Sequence, residues 1–115
     1  MKRGDVVIVD LRPTNPAAKV RPALVLQNDR DNARMANTIL AQITSNTRRA
    51  QQDTQLLIDE NHPDWPASGL QHPSVVNCST IYTVEQQHVT RVIGSLSRAT
   101  MKQIEECLKA ALAIA

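Results

Sequence analysis

The sequence predicts a mainly β domain with a helical end (α+β), a small β-barrel closed by one C-terminal helix. Three observations carry that expectation. Short runs rich in β-branched residues follow one another from Val6 to Leu96, with Asn, Asp, Pro and Gly clustered between them. After Met101 the apolar positions change to helical spacing. The chain of 115 residues is the size of one domain and too short for two cores of ordinary size. No repeat or low-complexity linker divides it, so a single domain over residues 1–115 is expected.

Taken in order, strands are expected at Val6–Val9, Ala23–Leu26, Thr38–Ile43, Thr54–Ile58, Ser74–Val76 and Val89–Leu96. A short helical turn at Asp29–Arg34 interrupts the pattern. The first two strands are joined by residues 11–21, eleven positions that far exceed the ~2–5 of a simple hairpin. Pro13 and Pro16 deny that segment ladder hydrogen bonds, and it carries Arg12, Lys19 and Arg21. A long, stiffened, basic connection on a small barrel more often binds something than merely connects. Residues 59–73 form a second long loop, with Pro63, Pro66, Pro73, His62 and His72. The terminal helix places Met101, Ile104, Leu108, Ala111, Leu112 and Ala115 on one stripe. Its cap is Ser97 or Thr100, the latter with Gln103 at capping-box spacing.

Composition narrows the ligand. There is no Phe, one Trp (Trp65) and one Tyr (Tyr82), so the core is aliphatic and no row of aromatics exists on which bases would stack. An RNA ligand would be held by charge and hydrogen bonds. The net charge is only +2, but residues 1–34 carry seven basic side chains against four acidic ones. A polyanion would be met mainly by that third; a solvated mixed-charge surface is the alternative. Two cysteines, Cys78 and Cys107, are too few for a disulfide framework and are expected as reduced, part-buried thiols. Charge within the first five residues and the absence of ~18 consecutive apolar residues argue against a signal peptide and a membrane span. A soluble, cytoplasmic protein is expected.

Metal and nucleophile signatures are weak. His62, His72 and His88 are scattered, no Cys-x-x-Cys occurs, and the three glycines form no phosphate loop. No metal and no cofactor are expected. What remains is Arg21-Pro22 at the mouth of the second strand and Ile43-Thr44-Ser45-Asn46 leaving the third, with Arg48 and Arg49 just beyond. A guanidinium at Arg21 would grip a phosphate with two parallel hydrogen bonds and stabilise charge on a phosphoryl transition state. On spacing alone, a surface salt bridge of Arg21 with Asp10 or Asp29, and a polar turn at Thr44–Thr47, are the favoured explanation of these residues.

The same residues carry a resemblance. Lys2-Arg3-Gly4-Asp5-Val6-Val7 with Val9-Asp10-Leu11 and Pro13-Thr14 resembles the first strand of the MazF/PemK toxin family. Val20-Arg21-Pro22-Ala23-Leu24-Val25 with Gln27-Asn28-Asp29 resembles its second, and Ile43-Thr44-Ser45-Asn46 the end of its third. Ser68-Gly69-Leu70, Pro73-Ser74-Val75-Val76 and Ile93-Gly94-Ser95-Leu96-Ser97 continue the likeness in order to the terminal helix. The resemblance implies an SH3-like barrel of the CcdB/PemK type and a homodimer that cleaves single-stranded RNA selectively, without metal. The RNA's own 2′-hydroxyl would attack, leaving a cyclic phosphate and a 5′-hydroxyl end. It further implies Arg21 and Thr44 as catalytic residues, with Arg21 stabilising the pentavalent phosphate or delivering a proton to the leaving oxygen. RNA contacts are expected from Asn15, Lys19, Ser45, Asn46, Arg48 and Tyr82. The implied protein partner is an antitoxin whose disordered acidic tail folds across the basic groove.

One segment departs from the family pattern. Where many members carry an acidic residue, Gln, any residue and Arg before Thr-(Ile/Val)-Asp, this chain reads Ser79-Thr80-Ile81-Tyr82 before Thr83-Val84-Glu85. A mechanism through that carboxylate has no equivalent here, whereas one through Arg21 and Thr44 survives. Tyr82, in the arginine's place, would stack on a base or plug the dimer interface. The departure motivates a rival, a family member that binds RNA or antitoxin without cutting. A second rival is a gyrase-poisoning module of CcdB type, for which Arg-Pro and Ile-Thr-Ser would have no task.

Overall fold

The computed structural model of the chain describes residues 1–115. Six strands form one antiparallel sheet: β1 (Asp5–Val9), β2 (Arg21–Val25), β3 (Asn37–Thr44), β4 (Gln55–Ile58), β5 (Ser74–Glu85) and β6 (Val89–Ser95), in the order β4-β5-β3-β2-β1-β6. The helices are α1 (Asp29–Arg34), α2 (Trp65–Ser68) and α3 (Arg98–Leu112). The ladder is not closed, because β4 and β6 at its two ends do not pair. The helix α2 packs on β6 instead, with backbone so close that a side chain at either contact point would collide. A Cβ on Gly94 would lie 2.3 Å from the Ala67 carbonyl oxygen, and one on Gly69 2.1 Å from that of Ile93. Gly69, at φ +73°, also ends α2 in the left-handed region that glycine occupies without strain.

Successive strand residues face opposite sides, and here both sides of the central strands are buried. Val6, Leu24, Ala41 and Ile43 point to one core, completed by Ile58, Val76, Cys78 and the Met101, Ile104 and Cys107 face of α3. Val7, Val9, Ala23, Val25 and Leu40 point to a second, smaller core with Val84, against which Leu11, Tyr82 and Val89 pack. Burying aliphatic side chains such as these contributes about 1.5–3 kcal/mol each, which is why runs like Val6–Val9 are apolar without alternation.

Three expectations need adjustment. The fifth strand runs on to Glu85, well past Val76. The loop over residues 59–73 contains α2, started by Pro66 near its N-terminus. The terminal helix begins at Arg98 with Ser97 as its cap, whose hydroxyl accepts from the Thr100 N–H at 3.3 Å; its last turn is exposed, with Leu112 at 52%. Ala115 lies beyond the helix, and Cys107 takes the place on the buried stripe between Ile104 and Ala111. The short helix α1 stands where expected, capped by Asn28. No helix is long and apolar enough to cross a membrane.

The strand β5 bends sharply at its middle. Ala41 of β3 pairs with Ile81, but its neighbour Gln42 pairs with Asn77, so Cys78, Ser79 and Thr80 bulge out of that ladder. The Cys78 amide pairs instead with the Thr54 carbonyl at the start of β4. The bulge is where the chain departs from the family pattern, and it borders the cleft described next.

Candidate functional site

The pairing of β2 with β3 ends at Ala23 and Gln42. Pro22, next along, has no N–H to contribute. By strand alternation Arg21 and Thr44, each two residues beyond that last pair, lie on the face that carries Ala23 and Gln42. Arg21 is fixed from its other side by pairing with Val9. A cleft opens on that face, where the second core meets solvent. One part, about 340 Å3, is lined by Val9, Leu11, Lys19, Arg21, Gln42 and Tyr82, together with Ala17 and Ala18. The adjoining part, about 470 Å3, is lined by Gln42, Thr44, Asn46, Arg48, Arg49, Gln55 and Asn77. Gln42 lines both.

The electrostatics of this lining are one-sided. Lys19, Arg21, Arg48 and Arg49 face it, and no Asp or Glu does. The two carboxylates that sequence spacing offered to Arg21 are engaged elsewhere. Asp10 is gripped by Arg12 through two bonds of 2.7 and 2.9 Å, and the Arg12 side chain and backbone hold its carboxyl down at about 2. Asp29 accepts from the Arg3 amide at 2.7 Å. Arg21 enters no ion pair of the structure. Its guanidinium is therefore a cation without an internal partner, at the mouth of a groove that repels nothing anionic.

The exit from β3 is pre-shaped. The Asn46 amide donates to Thr44 Oγ1 at 3.1 Å, and the Arg48 amide donates to Asn46 Oδ1 at 3.2 Å. These turns spend the acceptors on backbone and leave donors for a ligand: the Thr44 O–H, the Asn46 side-chain N–H groups and the guanidinium ions. Tyr82 stands in the Arg21 part of the cleft. Burial raises its pKa, against which the Arg21 charge works, so the phenol remains protonated at neutral pH.

Among the residues singled out from sequence, the structure thus brings together Arg21, Lys19 and Tyr82 with Thr44, Asn46 and Arg48. It does not bring Asn15 or Ser45. Asn15 is exposed in the β1–β2 connection, where its Oδ1 accepts from the Ala17 amide at 3.2 Å. Ser45 lies on the opposite face from Thr44, as strand alternation requires, and lines a separate cavity of about 590 Å3 with Ile8, Pro22, His72 and Arg91. That cavity is larger than either part of the cleft alone, but it lacks both Arg21 and Thr44.

No group of three or more His, Cys, Asp or Glu side chains comes together anywhere in the fold. His62 accepts the Asp64 amide at Nδ1, 3.0 Å away. Both cysteines are buried in the first core; burial, with the neighbouring Cys107, pushes the Cys78 thiol up to about 12. Three lining residues escaped sequence reading: Gln42, Gln55 and Asn77. Gln42 sits inside an otherwise apolar strand run, and only its cross-strand neighbours reveal it.

Comparison with known proteins gives the family and the fold. Residues 2–112 match the family described as PemK-like, MazF-like toxin of type II toxin-antitoxin system. The chain is 34% identical over 116 residues to Endoribonuclease EndoA of Bacillus subtilis (strain 168), covering 99% of this chain and 96% of that protein. In three dimensions it is similar to Mycobacterium tuberculosis toxin MazF-mt6 (TM-score 0.79, 25% identity), across 96% of this chain and 98% of that one. A mycobacterial endoribonuclease in complex with its cognate antitoxin shares the fold at TM-score 0.77 and 23% identity, over 100% and 97% of the two chains.

Proposed function

The chain belongs to the PemK-like, MazF-like family of type II toxin–antitoxin toxins, and on that premise we propose that it is an endoribonuclease cutting single-stranded RNA without a metal ion. The observation that supports this best is the unpaired Arg21 and the Thr44 hydroxyl, which line adjoining parts of a cationic cleft without a carboxylate. In the reaction the RNA 2′-hydroxyl oxygen bonds to the adjacent phosphorus and loses its proton to solvent. The bond from phosphorus to the 5′-oxygen breaks, and that oxygen takes a proton from solvent. Products are a cyclic phosphate and a 5′-hydroxyl end.

Within that sequence Arg21 neutralises charge on the five-coordinate phosphorus, and the Thr44 hydroxyl donates to a non-bridging oxygen of the same phosphate. Lys19, Arg48 and Arg49 hold the flanking phosphates, and Asn46 and Tyr82 meet the nucleosides. The cleft offers no carboxylate or imidazole as general base. Catalysis then rests on charge stabilisation and on holding the 2′-oxygen in line. The carboxylate missing at Ser79 is not required by this scheme.

The active form is a homodimer in the cytoplasm. Its partner is an antitoxin, as for the mycobacterial endoribonuclease solved with its own. An acidic disordered segment suits a groove lined by Lys19, Arg21, Arg48 and Arg49.

The test incubates the purified protein with mixed single-stranded RNA in excess EDTA, beside Arg21→Ala, and maps the product ends. Discrete cuts with 5′-hydroxyl ends are expected, reduced at least about 100-fold in the variant. No cutting by folded, antitoxin-free protein on diverse RNA would leave a toxin that only binds.

A further inference from the structure

Gln42 lies between the two parts of the cleft, and the atom it presents there is fixed by a chain of hydrogen bonds that begins at the β5 bulge. The Ser79 backbone N–H can only donate, and it does so to the Asn77 side chain at 2.9 Å. The contacted atom is therefore the Asn77 oxygen. Gln55 Nε2 donates to the same oxygen at 2.8 Å. With its oxygen so committed, Asn77 turns its Nδ2 toward Gln42 Oε1 and Thr80 Oγ1, each at 3.2 Å. Gln42 is left with Nε2 as its free end, and that nitrogen donates to nothing within the protein. Its two N–H bonds, on a half-buried amide that lines both the Arg21 part and the Thr44 part of the cleft, are open to solvent and free to donate to a ligand.

We propose that Gln42 is a direct phosphate contact of this enzyme, donating from Nε2 to a non-bridging oxygen of the scissile phosphate, and that Asn77 is the positioning residue that fixes its amide in the donating orientation. The proposal rests on the ribonuclease reading above. A neutral amide in this place supplies a donor without adding charge. It also explains how the bulge serves the site although Ser79 is not acidic: its backbone N–H sets the polarity of the relay.

Four variants test it, with wild-type folding checked for each by circular dichroism and thermal melting. Gln42→Glu keeps the shape, removes the donors and introduces repulsion; kcat is expected to fall by about 10- to 100-fold with a smaller change in KM. Asn77→Ala frees the Gln42 amide to turn, so kcat falls too. The Gln42→Ala/Asn77→Ala double variant should be no slower than Gln42→Ala alone, since Asn77 acts only through Gln42. Additive losses, or Gln42→Glu within twofold of wild type, would overturn the inference.

Equilibrium binding of a 2′-O-methyl RNA, which cannot be cut, separates this inference from the activity it rests on. If wild type binds that RNA but cuts none, and Gln42→Glu weakens binding as Arg21→Ala does, the contact stands and the enzyme reading falls. If Gln42→Glu then binds as wild type does, both fall.

Discussion

A threonine hydroxyl at the end of a strand is ordinarily an acceptor that tightens a turn, and Thr44 performs that task for the Asn46 amide. Its proton is a separate resource. Thr44→Val keeps the branched shape but removes both; Thr44→Ser restores both with one methyl fewer. We expect Thr44→Val to lower kcat by about 10- to 100-fold and Thr44→Ser to recover most of it, measured by single-turnover cleavage. If Thr44→Val cuts normally, the hydroxyl is only part of the turn. At this scale the sequence is legible where chemistry is local. Arg21, Thr44 and Asn46 stand out as polar groups at strand ends, and all three line the cleft. Gln42 does not stand out, because its importance comes from Asn77, 35 positions away, and a bulge that no periodicity announces. Asn15 lies in a connection that looks adapted to binding, but it is exposed there and does not line the cleft.

Elements are held to one another here by a few contacts with little slack. The seam between α2 and β6 is backbone against backbone at Gly69 and Gly94, so Gly94→Ala must push the two apart. A loss of about 3 kcal/mol or more in denaturant unfolding is expected; an unchanged midpoint would mean that the seam opens freely. The start of α3 depends on Asp64, whose Oδ2 accepts the Ser97 amide at 2.8 Å. Burial alone would raise the Asp64 pKa, but hydrogen bonds from Thr100 and Ser97 outweigh it and the net shift is downward. A carboxylate whose folded pKa lies below its unfolded value of about 3.9 stabilises fully above that pH. The contribution is lost as pH falls through the folded value. Asp64→Ala should therefore lower stability by about 1–2 kcal/mol at pH 7 and by progressively less below pH 4, read as the gap between melting curves. A gap independent of pH would assign the loss to packing. Strand boundaries show where sequence stops informing. Ser74–Val76 is an apolar run, but Asn77–Thr80 is polar, and β5 continues only because β3 is there to pair with Ile81–Glu85. The two faces of β1 and β2 were easier to read, since near-continuous Val, Leu and Ala announce burial on both sides.

For the molecule as a whole, a net charge of +2 says little, because what an RNA in the proposed cleft would meet is the local arrangement of Lys19, Arg21, Arg48 and Arg49. If all these cations neutralise phosphates, the logarithm of the binding constant should fall with the logarithm of salt at a slope of about −2 to −3. A slope near zero, in titrations of non-cleavable RNA, would show that the RNA lies elsewhere. The sheet order has a consequence of another kind. β1 lies between β2 and β6, so the first strand made must wait for the last one before its second edge is covered. During synthesis, at about 5–20 residues per second, Val6–Val9 spends seconds with one row of amides and carbonyls bare. The cleft residues of β2, β3 and β5 are already made by then, but the sheet that holds them is unfinished. A nascent chain thus lacks a finished cleft until β6 and α3 have emerged, and a bare valine edge accompanies that delay.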